Sequence, residues 1–220
     1  MIDFVSLRRN MVNGQLRTNG VTDPALISAL LEIPREEFVS EPQRALAYRD
    51  DDLPIEGGEG PRYLIEPMTI ARMIQALNLQ PGDSVLDVGC GSGYSVALLS
   101  RLAGSVVALE ADARLSEDAV RLLDRLGTSN VSVVSGPLAA GWPKAGPFDA
   151  ILVEGAVEQV PQALFGQLKD NGRLIAVVGQ GASGRAVLYR SVGGTISSRA
   201  LFNAAVPSLP GFGKSSGFVF

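Results

Sequence analysis

The run Val85-Leu86-Asp87-Val88-Gly89-Cys90-Gly91-Ser92-Gly93-Tyr94 constrains the fold of this chain more than any other feature. Val85, Leu86 and Val88 carry the signal of a buried strand, and the apolar stretch from Tyr94 to Leu99 opens a helix. Glycines at alternate positions (Gly89, Gly91, Gly93) predict a sharp strand-to-helix turn. Without a Cβ in the way, its backbone can approach a bound molecule closely. A second apolar run, Val106 to Leu109, ends in Glu110. An acidic side chain at a strand tip is placed to accept hydrogen bonds from two ribose hydroxyls. Together these features predict a nucleoside-binding site.

The glycine spacing narrows the ligand. A dinucleotide fingerprint reads G-x-G-x-x-G, and here Ser95 stands where its third glycine would fall. The form D-x-G-x-G-x-G, from Asp87 to Gly93, resembles motif I of class I S-adenosyl-L-methionine-dependent methyltransferases. Their ligand carries no phosphate and lays its amino-acid moiety over the glycine turn. That resemblance implies cofactor contacts from Asp87, Gly89, Cys90, Gly91, Ser92, Gly93 and Glu110. The competing reading is a tight turn with no ligand.

Composition limits the remaining chemistry. The 220 residues include no histidine and one cysteine, Cys90. Ser-His-Asp catalysis and histidine metal sites are thereby excluded, and no cysteine or acidic cluster has zinc spacing, so no metal is expected. Cys90 reads as a small motif residue rather than a nucleophile. A net charge of −4 gives no electrostatic reason to expect nucleic-acid binding. No apolar run is long enough to span a bilayer, and the start lacks a signal-peptide pattern, so a cytoplasmic enzyme is expected. Methyl transfer to an acceptor that is already ionised needs no strong base and suits this inventory.

The pattern predicts a single domain over 1–220, with a helical region and substrate loop in 1–80 and a cofactor-binding sheet in 81–220. Met11 to Leu16 reads as amphipathic. Thr22-Asp23-Pro24 starts a helix over 25–33, and Pro34 to Val39 opens a short element. Residues 48–60 read as a surface loop, followed by a helix over 67–77. Strands are expected at 84–88, 105–110, 131–135, 149–153 and 173–178, with helices at 94–103, 113–126 and 158–169. Asn171-Gly172 reads as the close of that last helix. The alternation implies an α/β, Rossmann-like fold with a mostly parallel seven-stranded sheet and helices on both faces. Strands at 186–191 and 195–203 around Gly193-Gly194 complete it as a C-terminal antiparallel hairpin. The segment from Gly211 to Phe220 could add a strand, pack on the sheet or meet another subunit.

Fragments along most of the chain resemble the protein-L-isoaspartate O-methyltransferase family. They include Met11-Val12 with Gln15-Leu16, Pro34-Arg35-Glu36-Glu37-Phe38-Val39, Ala47-Tyr48-Arg49-Asp50 with Leu53-Pro54-Ile55, Gly172-Arg173-Leu174 and Val206-Pro207-Ser208-Leu209. The resemblance implies methylation of the free carboxylate of isoaspartyl residues in damaged proteins or peptides. S-adenosyl-L-methionine would be the donor and S-adenosyl-L-homocysteine the product.

The chain departs from that family where the acceptor would sit. The family places a serine beside the reacting carboxylate; counting back from Pro67, Ile65 holds that position and Glu66 replaces a glutamine. The preceding loop is longer than the family pattern. After the third strand, Gly136-Pro137-Leu138 stands where an adenine contact is implied, without the family's acidic residue. Candidate acceptor-site residues are therefore Ile65, Glu66, Arg62 and Glu154. Arg62 could pair with an acceptor carboxylate. Glu66 reads as a base or a helix cap, and Glu154 as an acid at the sheet's carboxyl end or a solvated loop residue. Tyr63 and Trp142 could line the pocket or simply pack. A different acceptor on the same fold, including a small molecule, and a cofactor-binding protein without turnover stay open as alternatives.

Overall fold

A computed structural model describes residues 2–57 and 60–212. The glycine-turn strand, β3 (Ser84–Val88), lies at the centre of a seven-stranded sheet. Its neighbours on one side are β4 (Ser105–Glu110) and then β5 (Val131–Ser135). On the other side come β6 (Phe148–Val157), β7 (Leu168–Val178), β8 (Arg185–Val192) and β9 (Thr195–Asn203). Pairing is parallel from β5 through to β7; β8 and β9 add antiparallel. The strand order turns back between β4 and β6, so β3 ends at the crevice where open sheets of this kind bind ligands.

Five helices frame the sheet and its N-terminal layer: α1 (Phe4–Asn10), α2 (Pro24–Glu32), α3 (Pro67–Leu77), α4 (Tyr94–Ser100) and α5 (Ala113–Arg125). The expected start of α2 is present, with the Asp23 carboxylate accepting from Leu26 N–H and Pro24 just inside. In α3, Ile70, Met73, Ile74 and Leu77 are buried at the spacing of a single helical face. Residues 11–16 form a π-helix whose Met11, Val12 and Leu16 enter the core. Among the described residues, no helix is long and apolar enough to cross a membrane.

The structure corrects three sequence expectations. Within the supposed loop over 48–60, Leu53–Ile55 forms β1, which pairs antiparallel with β2 (Arg62–Leu64). The alternation of buried Leu53 and Ile55 around exposed Pro54 gives the physical reason: one face of this small hairpin packs inward. The helix expected over 158–169 shrinks to one turn, α6 (Gln162–Phe165), between Pro161 and Gly166. Asn171-Gly172 does not cap it. Asn171 takes φ 64° inside β7, and five steps of β7 (Leu168 to Arg173) match two of β6 (Phe148 to Ala150). The pair makes a bulge, another use of the same left-handed preference. Of the C-terminal segment, Phe212 is buried against the core, and residues 213–220 lie outside the described ones.

Arg35 fastens the N-terminal layer to the segment leading into α3. Its side chain is fully buried, donates to the carbonyls of Ala47 and Ile65 at 2.7 Å each, and lies 4.8 Å over the Tyr94 ring. Arg35→Ala strands both carbonyls and opens a cavity, so urea unfolding is expected to show a loss of about 3 kcal/mol. A loss below about 1 kcal/mol would mean the carbonyls find other partners.

Candidate active site

The glycine turn is built as the sequence requires. Gly89, Gly91 and Gly93 take φ of 82°, 55° and 93°, values that other residues rarely adopt. The N–H groups of Gly89 and Cys90 donate to the Leu109 carbonyl, tying the turn to β4. Cys90 is buried, and burial pushes its thiol pKa well up, with Asp87 and Glu110 adding to the shift. The thiol is not an activated nucleophile. Ser92 donates to the Phe38 carbonyl at 2.8 Å, so its side chain anchors the turn to the N-terminal layer.

Glu110 sits fully buried at the tip of β4. Its carboxylate accepts from the backbone N–H groups of Gly91 (2.8 Å), Ala111 (2.8 Å) and Asp112 (3.0 Å). Arg62 completes the set: Nη2 donates to Glu110 Oε2 at 2.8 Å, Nη1 donates to Oε1, and Nη2 also reaches the Gly89 carbonyl at 2.9 Å. The guanidinium is buried in this fork rather than turned towards an acceptor.

A second acidic group lies behind the turn. In β6, four steps (Leu152 to Ala156) match two of β7 (Ile175 to Val177), and the bulge includes Glu154 and Gly155. There the Glu154 carboxyl meets Ser95 Oγ, which also lies 2.8 Å from Asp87 Oδ2. One hydroxyl carries one proton, so a serine between two carboxyls is satisfied when one of them keeps its own. Burial raises both acids, Asp87 to about 6 and Glu154 well above its ordinary value, the latter pushed further by the Asp87 charge. The two acids therefore hold one proton between them. Asp87 Oδ1 is buried with no hydrogen-bond partner among the described residues.

The other expected site residues fall around this centre. Ile65 is buried in the main core, so only its backbone carbonyl has a polar role, as an acceptor from Arg35. Glu66 stands at the N-terminus of α3, where its carboxylate accepts from the Thr69 hydroxyl, and burial raises its pKa. The backbone of that helix start is capped instead by Asp52, accepting from Glu66 N–H, and Asp50, accepting from Met68 N–H. Gly136 packs beneath Trp142, whose ring would lie 3.3 Å from an added Cβ. Pro137 leads into a short turn that buries Leu138 in the smaller core.

Arg62, Tyr63, Ile65 and Glu154 share one recess with two residues the motif reading did not single out, Pro207 and Ser208. The 207–209 segment is held there because Ala156 N–H donates to the Pro207 carbonyl and Leu209 N–H to that of Ala156. Its only sequence signal was the fragment Val206 to Leu209. The recess measures about 10 Å³, room for about one water.

The family model for protein-L-isoaspartate(D-aspartate) O-methyltransferase matches residues 7–205. The chain belongs to that family. It is 45% identical over 177 residues to the protein-L-isoaspartate O-methyltransferase of Methylorubrum extorquens, covering 80% of this chain and 76% of the relative. It is 41% identical over 172 residues to protein-L-isoaspartate O-methyltransferase 2 of Pelobacter propionicus, covering 78% and 75%. A solved protein-L-isoaspartate O-methyltransferase superposes with a TM-score of 0.82 at 31% identity, over 94% of this chain and 67% of that one. A Plasmodium falciparum structure described as such an enzyme, in complex with S-adenosyl-L-homocysteine, shares the fold: TM-score 0.75, 24% identity, 96% and 100% coverage. The expected Rossmann-like methyltransferase fold is thus present, C-terminal hairpin included.

Because Asp87 and Glu154 titrate higher in the fold than in the unfolded chain, their stabilising contribution is complete below the ordinary carboxyl range. It is lost as pH rises through their folded-state values. Relative to Glu154→Gln, the wild type is expected to lose stability as pH rises from 4.5 through 6 and above. Urea unfolding across that range tests this; a pH-independent difference between the two proteins would refute the shared-proton arrangement.

Proposed function

We propose that this family member transfers the methyl group of S-adenosyl-L-methionine to the free carboxylate of isoaspartyl residues in damaged proteins or peptides, in the cytoplasm. The observation that carries the cofactor assignment is the chemistry of the crevice. Asp87, Glu110 and Glu154 converge on the glycine turn, and Arg62 is the cation paired with Glu110. Such a donor set suits a ligand that is positively charged at sulfur and nitrogen and carries vicinal hydroxyls. The unpartnered Asp87 Oδ1 offers an acceptor to that ligand. Gly136, Pro137 and Leu138 give the adenine a backbone and apolar wall.

When bound, the sulfonium supplies an electrophilic methyl group. The protein's task is then geometric, since an acceptor carboxylate is already the nucleophile near neutral pH. The recess at the carboxyl ends of β3 and β6 would align that carboxylate and exclude water. No histidine is needed for this. Ile65 cannot donate to the acceptor, so orientation falls to Tyr63 and Ser208 around the same recess, joined by Arg62 only where it leaves Glu110. The proton held between Asp87 and Glu154 lessens their repulsion of an incoming carboxylate. The Glu66 carboxylate is engaged by the Thr69 hydroxyl and has no part in holding the acceptor.

Labelled-methyl transfer to an isoaspartyl peptide, beside its aspartyl twin, tests the reading. Transfer to the isoaspartyl peptide alone is the expected result; cofactor binding without transfer to either would send the search to other acceptors. Ile65→Ser restores a hydroxyl donor and is expected to raise kcat/KM about tenfold, the worth of one charge-assisted hydrogen bond. Its melting temperature should be followed in parallel, because a core methyl cluster is lost.

A further inference from the structure

We propose that Arg62 is an internal competitor for the cofactor site, a latch that holds the ribose-binding carboxylate until the cofactor displaces it. The inference rests on the reading of this crevice as an S-adenosyl-L-methionine site. Glu110 accepts five hydrogen bonds, three from backbone N–H groups and two from Arg62. A carboxylate offers about four lone-pair directions. It is saturated, and vicinal hydroxyls can bind it only where Arg62 lets go. The guanidinium stands in for the ligand, presenting two parallel donors as a pair of ribose hydroxyls would.

The rest of the hairpin closes the same space. A Cβ on Gly91 would come within 2.7 Å of Ile55 Cδ1, from β1. A Cβ on Gly57, just beyond β1, would come within 2.7 Å of Asp112 Oδ2. From the other side Leu209 closes over Gly89 and Gly155, each of whose added Cβ atoms would lie 2.8 Å from it. The glycine turn is therefore covered by the chain's own side chains. The recess of about 10 Å³ beside Arg62 admits no peptide carboxylate either. One displacement, Arg62 leaving Glu110, frees the ribose carboxylate and releases a guanidinium at the acceptor side. Cofactor would then bind before the acceptor.

A ligand that binds only the open state has its affinity reduced by the fraction of molecules that are open. Calorimetry with S-adenosyl-L-homocysteine on the full chain should therefore find Arg62→Gln binding about tenfold or more tighter than wild type. The gain should lie in the association rate. Without ligand the same variant should melt lower, its buried acids having lost their cation, and the ligand should raise its melting temperature by more than it raises that of wild type. If Arg62→Gln does not fold, Arg62→Lys keeps the charge but loses the fork, and severalfold tighter binding is expected. Equal or weaker binding by a folded variant overturns the latch. Unchanged affinity in the variant beside intact isoaspartyl transfer by the wild type would remove the latch alone; tighter binding by the variant with no transfer by the wild type would remove only the acceptor assignment.

Discussion

The carboxylate of Glu110 is the point on which the site's architecture converges. It joins the turn after β3 through Gly91, the start of α5 through Ala111 and Asp112, and the β1–β2 hairpin through Arg62. Three segments distant in sequence are thereby fixed by one buried group. Burying an unpaired charge is costly, and these donors together offset that cost for the carboxylate. The same saturation makes the group a poor partner for anything new while Arg62 is in place.

Charge balance explains much of what surrounds it. Asp87, Glu110 and Glu154 are buried within one crevice, and Arg62 answers Glu110. The remaining pair is relieved by one proton shared around Ser95. The bulge in β6 turns Glu154 towards this cluster, and the glycine after it admits Leu209. A cationic ligand entering the crevice would meet acids that lack enough counter-charge, a favourable field in a medium of low dielectric. The acceptor side has the opposite requirement. On the proposed function a carboxylate approaches there, and the proton shared by Asp87 and Glu154 together with a released Arg62 would satisfy it.

Much of this was legible in the chain. The alternate glycines and the acid after the next strand marked the tight turn and the buried carboxylate beside it, and α3 was bounded correctly by Pro67 and the apolar face ending at Leu77. The Asn171-Gly172 pair misled because a left-handed residue serves a helix end and a strand bulge equally well. The hairpin of β1 and β2 was hidden because three-residue strands carry too few alternations to stand out from a polar loop. Arg62 read as a partner for an acceptor carboxylate because nothing near it in sequence (Pro61, Tyr63, Leu64) pairs with a cation, while its partners in the fold, Glu110 and Gly89, lie far along the chain.

The sequence by itself determined the family, the sheet and the glycine turn, because each rests on local pattern: strand periodicity, left-handed glycines and an acid at a fixed place after a strand. Tertiary structure alone decided what those groups face. It made Glu154 and Asp87 share a proton by placing both against Ser95, and it buried Ile65 in the core. It also brought Arg62 onto Glu110. These are contacts between residues far apart in the chain, and their energies depend on burial and distance, which no local pattern encodes.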